Sequence, residues 1–152
     1  NHGLLEKFHE NGNLESRINY INGGRQGPME EFYKNGNIKL RINYLDGIEE
    51  GLGESWYENG QVRSIINYVN GSEEGLMEEF YENGNIKSRI NYLDGDKHGL
   101  REQWDKDGVL IYSVTYQNGD LSIRESKRMA DQQIEYERRK MREKMLNRNQ
   151  SK

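Results

Sequence analysis

Residues 75–98 read GLMEEFYENGNIKSRINYLDGDKH, and residues 27–50 repeat that stretch closely as GPMEEFYKNGNIKLRINYLDGIEE. Weaker copies begin at Gly3 and Gly51, and a degenerate fifth copy begins at Gly99. The opening glycine therefore recurs every 24 residues. A period of this length is typical of an array of small supersecondary units rather than of a globular domain with one cleft. It directs the search for function towards binding.

Two turn signals alternate within each copy. The first set is Asn11-Gly12, Asn35-Gly36, Asn59-Gly60, Asn83-Gly84 and Asp107-Gly108, and the second is Asn22-Gly23, Asp46-Gly47, Asn70-Gly71, Asp94-Gly95 and Asn118-Gly119. These dipeptides supply the positive φ angles of tight hairpin turns. Runs of about seven residues between them are rich in aromatic and β-branched types and predict strands. We therefore expect an all-β repeat array over residues 1–121, an elongated antiparallel meander of five 24-residue β-hairpins.

The hairpin register decides which side chains share a face. A two-residue loop at Asn35-Gly36 would place Phe32 across from Lys39, whereas a three-residue loop with a glycine bulge places it across from Ile38. We favour the longer loop, because it gathers the apolar residues on one packed face. The rows expected on that face are Phe8, Phe32, Trp56, Phe80 and Trp104; Ile18, Ile42, Ile66, Ile90 and Val114; Tyr20, Tyr44, Tyr68, Tyr92 and Tyr116; and Glu6, Glu30, Glu54, Glu78 and Glu102.

The glutamate row of that face has two interpretations. We interpret its carboxylates as groups at a partly wet edge that bond tyrosine hydroxyls or turn amides, because buried acids are rarely left unpaired. The alternative is a row that binds cations or a basic partner.

The opposite face is expected to carry tyrosines beside arginines. These residue types are enriched at binding surfaces, although cross-strand contacts on a solvated face would explain them equally well. The candidate partner-binding residues are Tyr33, Tyr57, Tyr81, Arg41 and Arg89, together with the loop glutamates Glu49, Glu50, Glu73 and Glu74.

Residues 122–152 change in character. Ser122 and Glu125 fit a capping box, and no glycine or proline follows, which predicts a basic amphipathic C-terminal α-helix. Residues 1–121 carry 12 Lys and Arg against 21 Asp and Glu, a net charge of −9, whereas residues 122–152 carry 10 against 5, a net charge of +5. The simplest interpretation is a helix that folds back over the end of an acidic sheet.

The C-terminal helix has two alternative roles. It could form a homo-oligomer through its thin apolar stripe, or it could contact an anionic membrane surface.

The composition offers no catalytic chemistry. The chain has no cysteine, its three histidines stand in no triad-like spacing, and we expect no metal and no cofactor. The acidic array argues against nucleic acid as a partner. No membrane-length apolar run or leader is visible, which favours the cytoplasm.

The residues resemble MORN repeats. Tyr92-Leu93-Asp94-Gly95-Asp96-Lys97-His98-Gly99 has the Y-x-x-G-x-x-x-G spacing, and Phe80-Tyr81-Glu82-Asn83-Gly84 is similar to the bacterial variant of the repeat. The resemblance covers residues 3 to about 121. It implies an elongated sheet of hairpins that binds rather than catalyses.

The bacterial variants are often antitoxin or immunity-type proteins, and the eukaryotic relatives are scaffolds. The resemblance and the acidic array together suggest an antitoxin-like module that occludes a basic toxin. The alternative is a scaffold that self-assembles or docks at membranes through its basic helix.

Overall fold

A computed structural model describes residues 2–121 and 131–143. Eleven strands, each hydrogen-bonded to the next in chain order, form one open antiparallel meander. The strands are β1 (Gly3–Phe8), β2 (Leu14–Ile21), β3 (Gly24–Phe32), β4 (Ile38–Leu45), β5 (Ile48–Trp56), β6 (Val62–Val69), β7 (Ser72–Phe80), β8 (Ile86–Leu93), β9 (Asp96–Trp104), β10 (Leu110–Gln117) and β11 (Asp120–Leu121). One helix, α1, follows at residues 131–143. The predicted fold class, a hairpin array with a C-terminal helix, is confirmed.

The two turn signals form two different turns. In the second set the Asn or Asp has φ between 50° and 52° and its glycine has φ between 80° and 90°, which is the two-residue turn with both central residues left-handed. In the first set only the glycine has positive φ. There the Tyr33 N–H donates to the Asn37 carbonyl at 2.8 Å, and Phe32 pairs with Ile38. The predicted three-residue loop is therefore confirmed.

A bulge after each three-residue loop changes which side chains lie on the same face of the sheet. Phe32 lies opposite Ile38, but Glu31 lies opposite Leu40, so that Lys39 is an extra residue in β4. An extra residue interrupts the alternation of side chains along a strand. The prediction that the aromatic and glutamate rows share a face with the isoleucine and tyrosine rows is therefore wrong.

Two differently built faces result. On what we term the Trp face, the Arg17 guanidinium lies 5.7 Å from the Phe32 ring centroid, and that of Arg41 lies 5.8 Å from the Trp56 ring. The Trp face carries Phe8, Phe32, Trp56, Phe80 and Trp104 with Glu6, Glu30, Glu54, Glu78 and Glu102. The opposite Tyr face carries Ile18, Ile42, Ile66, Ile90 and Val114 with Tyr20, Tyr44, Tyr68, Tyr92 and Tyr116.

The core is thin and belongs to the Tyr face. The buried apolar side chains are Ile18, Tyr44, Ile66, Ile90 and Val114. Because a single-layer sheet has no second layer to cover it, Ile18, Tyr44, Ile66 and Ile90 depend on neighbours in their own and adjacent repeats. Val114 lies in β10, against which α1 packs.

Side-chain hydrogen bonds connect each repeat to the next. The hydroxyl of Tyr57 donates to the carbonyl of Phe80, 23 residues further on, at 2.8 Å. Tyr33 and Tyr81 repeat this bond to Trp56 and Trp104, and a ring nitrogen of His9 lies 2.9 Å from the Phe32 carbonyl. The asparagines of the first turn set, Asn11, Asn35, Asn59 and Asn83, also donate to carbonyls 23 residues ahead. These bonds fix the spacing between repeats.

Asp105 ends this series. It occupies the position of Tyr81 in the last repeat, and its Oδ1 accepts the amides of Asp107 and Val109 at 3.0 and 2.9 Å. Its Oδ2 accepts the hydroxyl of Tyr136 at 3.2 Å and pairs with Lys140 Nζ at 2.8 Å. The residue that elsewhere joins two repeats here joins the sheet to α1.

The helix therefore packs against the last hairpin, as the folded-back interpretation predicts. The Gln132 side chain also accepts the backbone N–H of Ser113 in β10, at 2.9 Å. The predicted capping box at Ser122 and Glu125 lies outside the described residues.

The carboxylate of Asp105 makes the attachment of α1 dependent on pH. Burial alone would raise the pKa of Asp105, but the hydrogen bonds from Lys140, the Val109 amide, Tyr136 and the Asp107 amide outweigh it and lower the pKa from 3.8 to about 2. A lowered pKa contributes stability that is fully present above about pH 4 and is lost as the pH falls towards 2. The shift corresponds to about 2 kcal/mol.

Asp105→Asn is expected to lower the free energy of unfolding by about 2 kcal/mol at pH 7, and by much less near pH 2. Urea unfolding followed by tryptophan fluorescence at both pH values measures the difference. A gap between wild type and variant that stays constant with pH would contradict this assignment.

Candidate functional site

The structure does not bring the sequence-predicted binding residues together. Tyr33, Tyr57 and Tyr81 lie at the edge of the sheet formed by the first turn set, where their hydroxyls bond the next repeat. Arg41 and Arg89 lie on the Trp face. The glutamates Glu49, Glu50, Glu73 and Glu74 lie beside the second turn set, at the opposite edge of the sheet. Whether any of them contacts a partner stays a prediction.

The charges of the Trp face are largely paired with one another. Glu30 is buried and accepts ion pairs from Arg17 and from Arg41, the latter at 2.9 Å. Burial would raise the pKa of Glu30, yet the two arginines hold it below its ordinary value. Arg89 pairs with Glu78 at 2.8 Å in the same way. Glu30 and Glu78 thus bond arginines rather than the tyrosine hydroxyls or turn amides that the sequence suggested.

Exposed apolar side chains adjoin these ion pairs. Register and alternation place Leu45, Leu52, Val69, Leu76, Leu93 and Leu100 on the Trp face, each with between 41% and 53% of its surface exposed. Large apolar groups in repeated exposed positions are one mark of an interaction surface.

The Tyr face carries a row in which tyrosines alternate with charged residues. This tyrosine–charge row runs Tyr20, Arg25, Tyr44, Glu49, Tyr68, Glu73, Tyr92, Lys97 and Tyr116. Its charged members each stand two residues before a repeat-opening glycine. The sequence prediction grouped the tyrosines correctly but assigned the alternating charges to loops.

Contacts within the row are specific. The Arg25 guanidinium lies 5.1 Å from the centroid of the Tyr44 ring and donates to its hydroxyl at 3.1 Å. That hydroxyl in turn donates to Glu49 at 2.9 Å. Burial raises the pKa of the Tyr68 hydroxyl, and the carboxylates of Glu73 and Glu49 raise it further. The phenol therefore remains protonated at physiological pH.

The carboxylates of Glu50 and Glu74 also stabilise turns of the second set by hydrogen bonding. They accept the backbone amides of Asn70 and Asp94, at 2.8 and 2.9 Å. Gln26 makes the same bond to the Asp46 amide at 3.0 Å. A neutral amide therefore meets the structural need, and the negative charge of the two glutamates is not required for the turn.

Within residues 2–121 and 131–143, no group of three or more histidine, aspartate or glutamate side chains could hold a metal ion. No helix in those ranges is long and apolar enough to cross a membrane.

An open sheet of hairpin repeats with two differently patterned faces defines a β-hairpin repeat protein. The family of the MORN repeat variant matches residues 1–22, 25–46, 49–70, 73–94 and 97–118, so the chain belongs to the MORN repeat family. MORN repeats are generally non-catalytic modules that bind proteins or membranes. A comparison with curated proteins found no match.

Glu50→Gln is expected to leave the free energy of unfolding nearly unchanged, because glutamine keeps the acceptor for the Asn70 amide. Glu50→Ala is expected to lower it by about 1 kcal/mol, since that amide then loses its partner. Urea unfolding of the two variants compares them directly. An equal loss in both would show that the charge itself stabilises the turn.

Proposed function

We propose that this chain is a non-catalytic module that neutralises a basic protein partner by direct contact, as antitoxin and immunity proteins do. The observation that carries the proposal is the set of glutamates at the second-turn edge, Glu49, Glu50, Glu73 and Glu74. Within the described residues none of them pairs with a lysine or arginine.

Charge distribution supports a basic partner. Residues 1–121 carry a net charge of −9, whereas Glu30 and Glu78 of the Trp face are already matched by arginines. The excess negative charge therefore concentrates near the turns. Complementary charge accelerates association and excludes wrong partners.

The equivalence of Gln26 with Glu50 and Glu74 supports the same view. Glutamine satisfies the turn amide in one repeat, so that the fold alone does not explain acids in the other two. A binding role explains them, because it requires the charge and not only the acceptor.

A capture experiment tests the proposal. The wild-type chain is expected to retain a basic protein from the source lysate, to inhibit that protein's activity, and to release it as the ionic strength rises from about 0.15 M to about 1 M, where the Debye length falls from about 8 Å to about 3 Å. Replacing Glu49, Glu50, Glu73 and Glu74 by glutamine is expected to weaken binding at least about tenfold.

The matched control replaces four acids that are exposed elsewhere in the array by glutamine and so changes the net charge equally. These are Glu6, Glu10, Glu58 and Glu82. The control is expected to bind almost as well as wild type. Salt-insensitive binding, or an equal loss in both variants, would overturn the proposal.

A scaffold that self-assembles or docks at a membrane is the second candidate. It is favoured by α1, where Ile134 and Met141 remain 50% and 59% exposed beside Arg138 and Arg142. Apolar and basic groups on one surface suit an anionic membrane or a second copy of the helix.

The double variant Ile134→Ser, Met141→Ser tests this alternative, and it leaves Tyr136 and Lys140 unchanged. A scaffold predicts that the double variant loses sedimentation with phosphatidylserine vesicles, or dissociates in analytical ultracentrifugation. Retained inhibition of a basic partner by that variant would favour the first candidate.

A further inference from the structure

At two places in the tyrosine–charge row, a basic side chain of the protein lies over a tyrosine ring. At one end Arg25 lies over the Tyr44 ring at 5.1 Å, and at the other Lys97 lies over the Tyr116 ring at 5.6 Å. The two central members at equivalent repeat positions are Glu49 and Glu73. Consequently no lysine or arginine of the described residues stacks on Tyr68.

A pocket lies beside that uncovered ring. Gly53 is buried on the Tyr face, where the other repeats carry Leu5, Met29, Met77 and Arg101. A Cβ atom added at Gly53 would lie 2.9 Å from Tyr68 Cε2, so the ring leans over the glycine. Gly53 and Tyr68 are both among the lining residues of a half-open pocket of about 120 Å³.

The lining of the pocket combines apolar and polar residues. Its apolar lining residues are Leu40, Ile42, Ile66 and Met77, and its polar ones are Glu54, Ser64, Tyr68 and Glu73. An apolar cavity of about 150 Å³ holds a benzene molecule, so this pocket has room for the aliphatic stem of one side chain.

Charge then selects the occupant. An anionic group would meet the carboxylate of Glu73, which lines the pocket and forms no ion pair within the described residues. A neutral side chain would cover the apolar lining but leave that carboxylate unmatched. A lysine or arginine buries its stem along apolar surface while its charge stays at the rim, and a cation is attracted to the face of a tyrosine ring.

We propose that the pocket at Gly53 takes a lysine or arginine side chain of the protein partner, with its stem against Ile66 and Met77 and its cation over Tyr68. The incoming cation makes the contact that Arg25 and Lys97 make at the ends of the row. This inference rests on the proposed function, because it names the anchor point of the basic partner.

Short peptides test the pocket without the natural partner. Acetyl-Ala-Lys-Ala-amide and its arginine counterpart are titrated into the full chain labelled with ¹³C at methionine methyls. The Met77 methyl is expected to shift saturably, and that of Met29, which does not line this pocket, is expected to stay in place. The norleucine peptide keeps most of the stem without the charge and is expected to bind about tenfold more weakly.

Two variants probe the two halves of the contact. Gly53→Met restores the side chain that Met29 and Met77 carry at the same repeat position, and it is expected to fill the pocket and remove the Met77 shift. Glu73→Gln keeps the pocket shape and is expected to weaken the lysine peptide but not the norleucine peptide. Urea unfolding confirms that both variants fold.

Equal binding of lysine and norleucine peptides, or no Met77 shift with any peptide, would overturn the inference. The inference and the proposed function fail in different ways. If Gly53→Met still binds the salt-released basic partner with unchanged affinity, the pocket assignment is wrong and the proposed function stands. If the four-glutamine variant binds that partner as tightly as wild type, the proposed function itself is wrong.

Discussion

The hydrogen bond from a turn tyrosine to a carbonyl 23 residues ahead is the contact on which the regularity of this sheet depends. A single-layer sheet buries little apolar surface, so its repeats need specific contacts to hold a constant spacing. With this bond in place, equivalent residues of successive repeats align into rows. Both faces owe their binding potential to those rows, because a one-residue change in spacing would exchange the faces of every later strand.

The sequence predicted the strands, the positions of both turn sets and the three-residue loop of the first set, since Asn-Gly and Asp-Gly constrain the backbone locally. It misassigned the aromatic row because the extra residue Lys39 reverses the alternation, and no local signal separates a bulged residue from an ordinary strand residue. The tyrosine–charge row was missed for a related reason. Arg25 and Glu49 precede the repeat-opening glycines, so their charges resemble those of ordinary loops, although they lie between tyrosines of adjacent strands.

The two faces differ in how far their charges are paired within the protein. On the Trp face, arginines satisfy glutamates and stack on aromatic rings, so that most of its charge is internally balanced. On the Tyr face, the ends of the central row are balanced by Arg25 and Lys97, whereas its middle has two carboxylates and the space beside Gly53. The asymmetry of one row distinguishes a possible anchor from the surrounding scaffold.

Asp105 has a consequence for how such an array can vary in size. Because it bonds α1 rather than another hairpin, the fifth repeat differs chemically from the four before it. The interior repeats, by contrast, have interchangeable donors and acceptors. Duplication of a 24-residue unit upstream of Asp105 would therefore lengthen the sheet without changing how α1 is attached. The number of repeats between Asp105 and the pocket at Gly53 would then set how far apart a partner's contact points must lie.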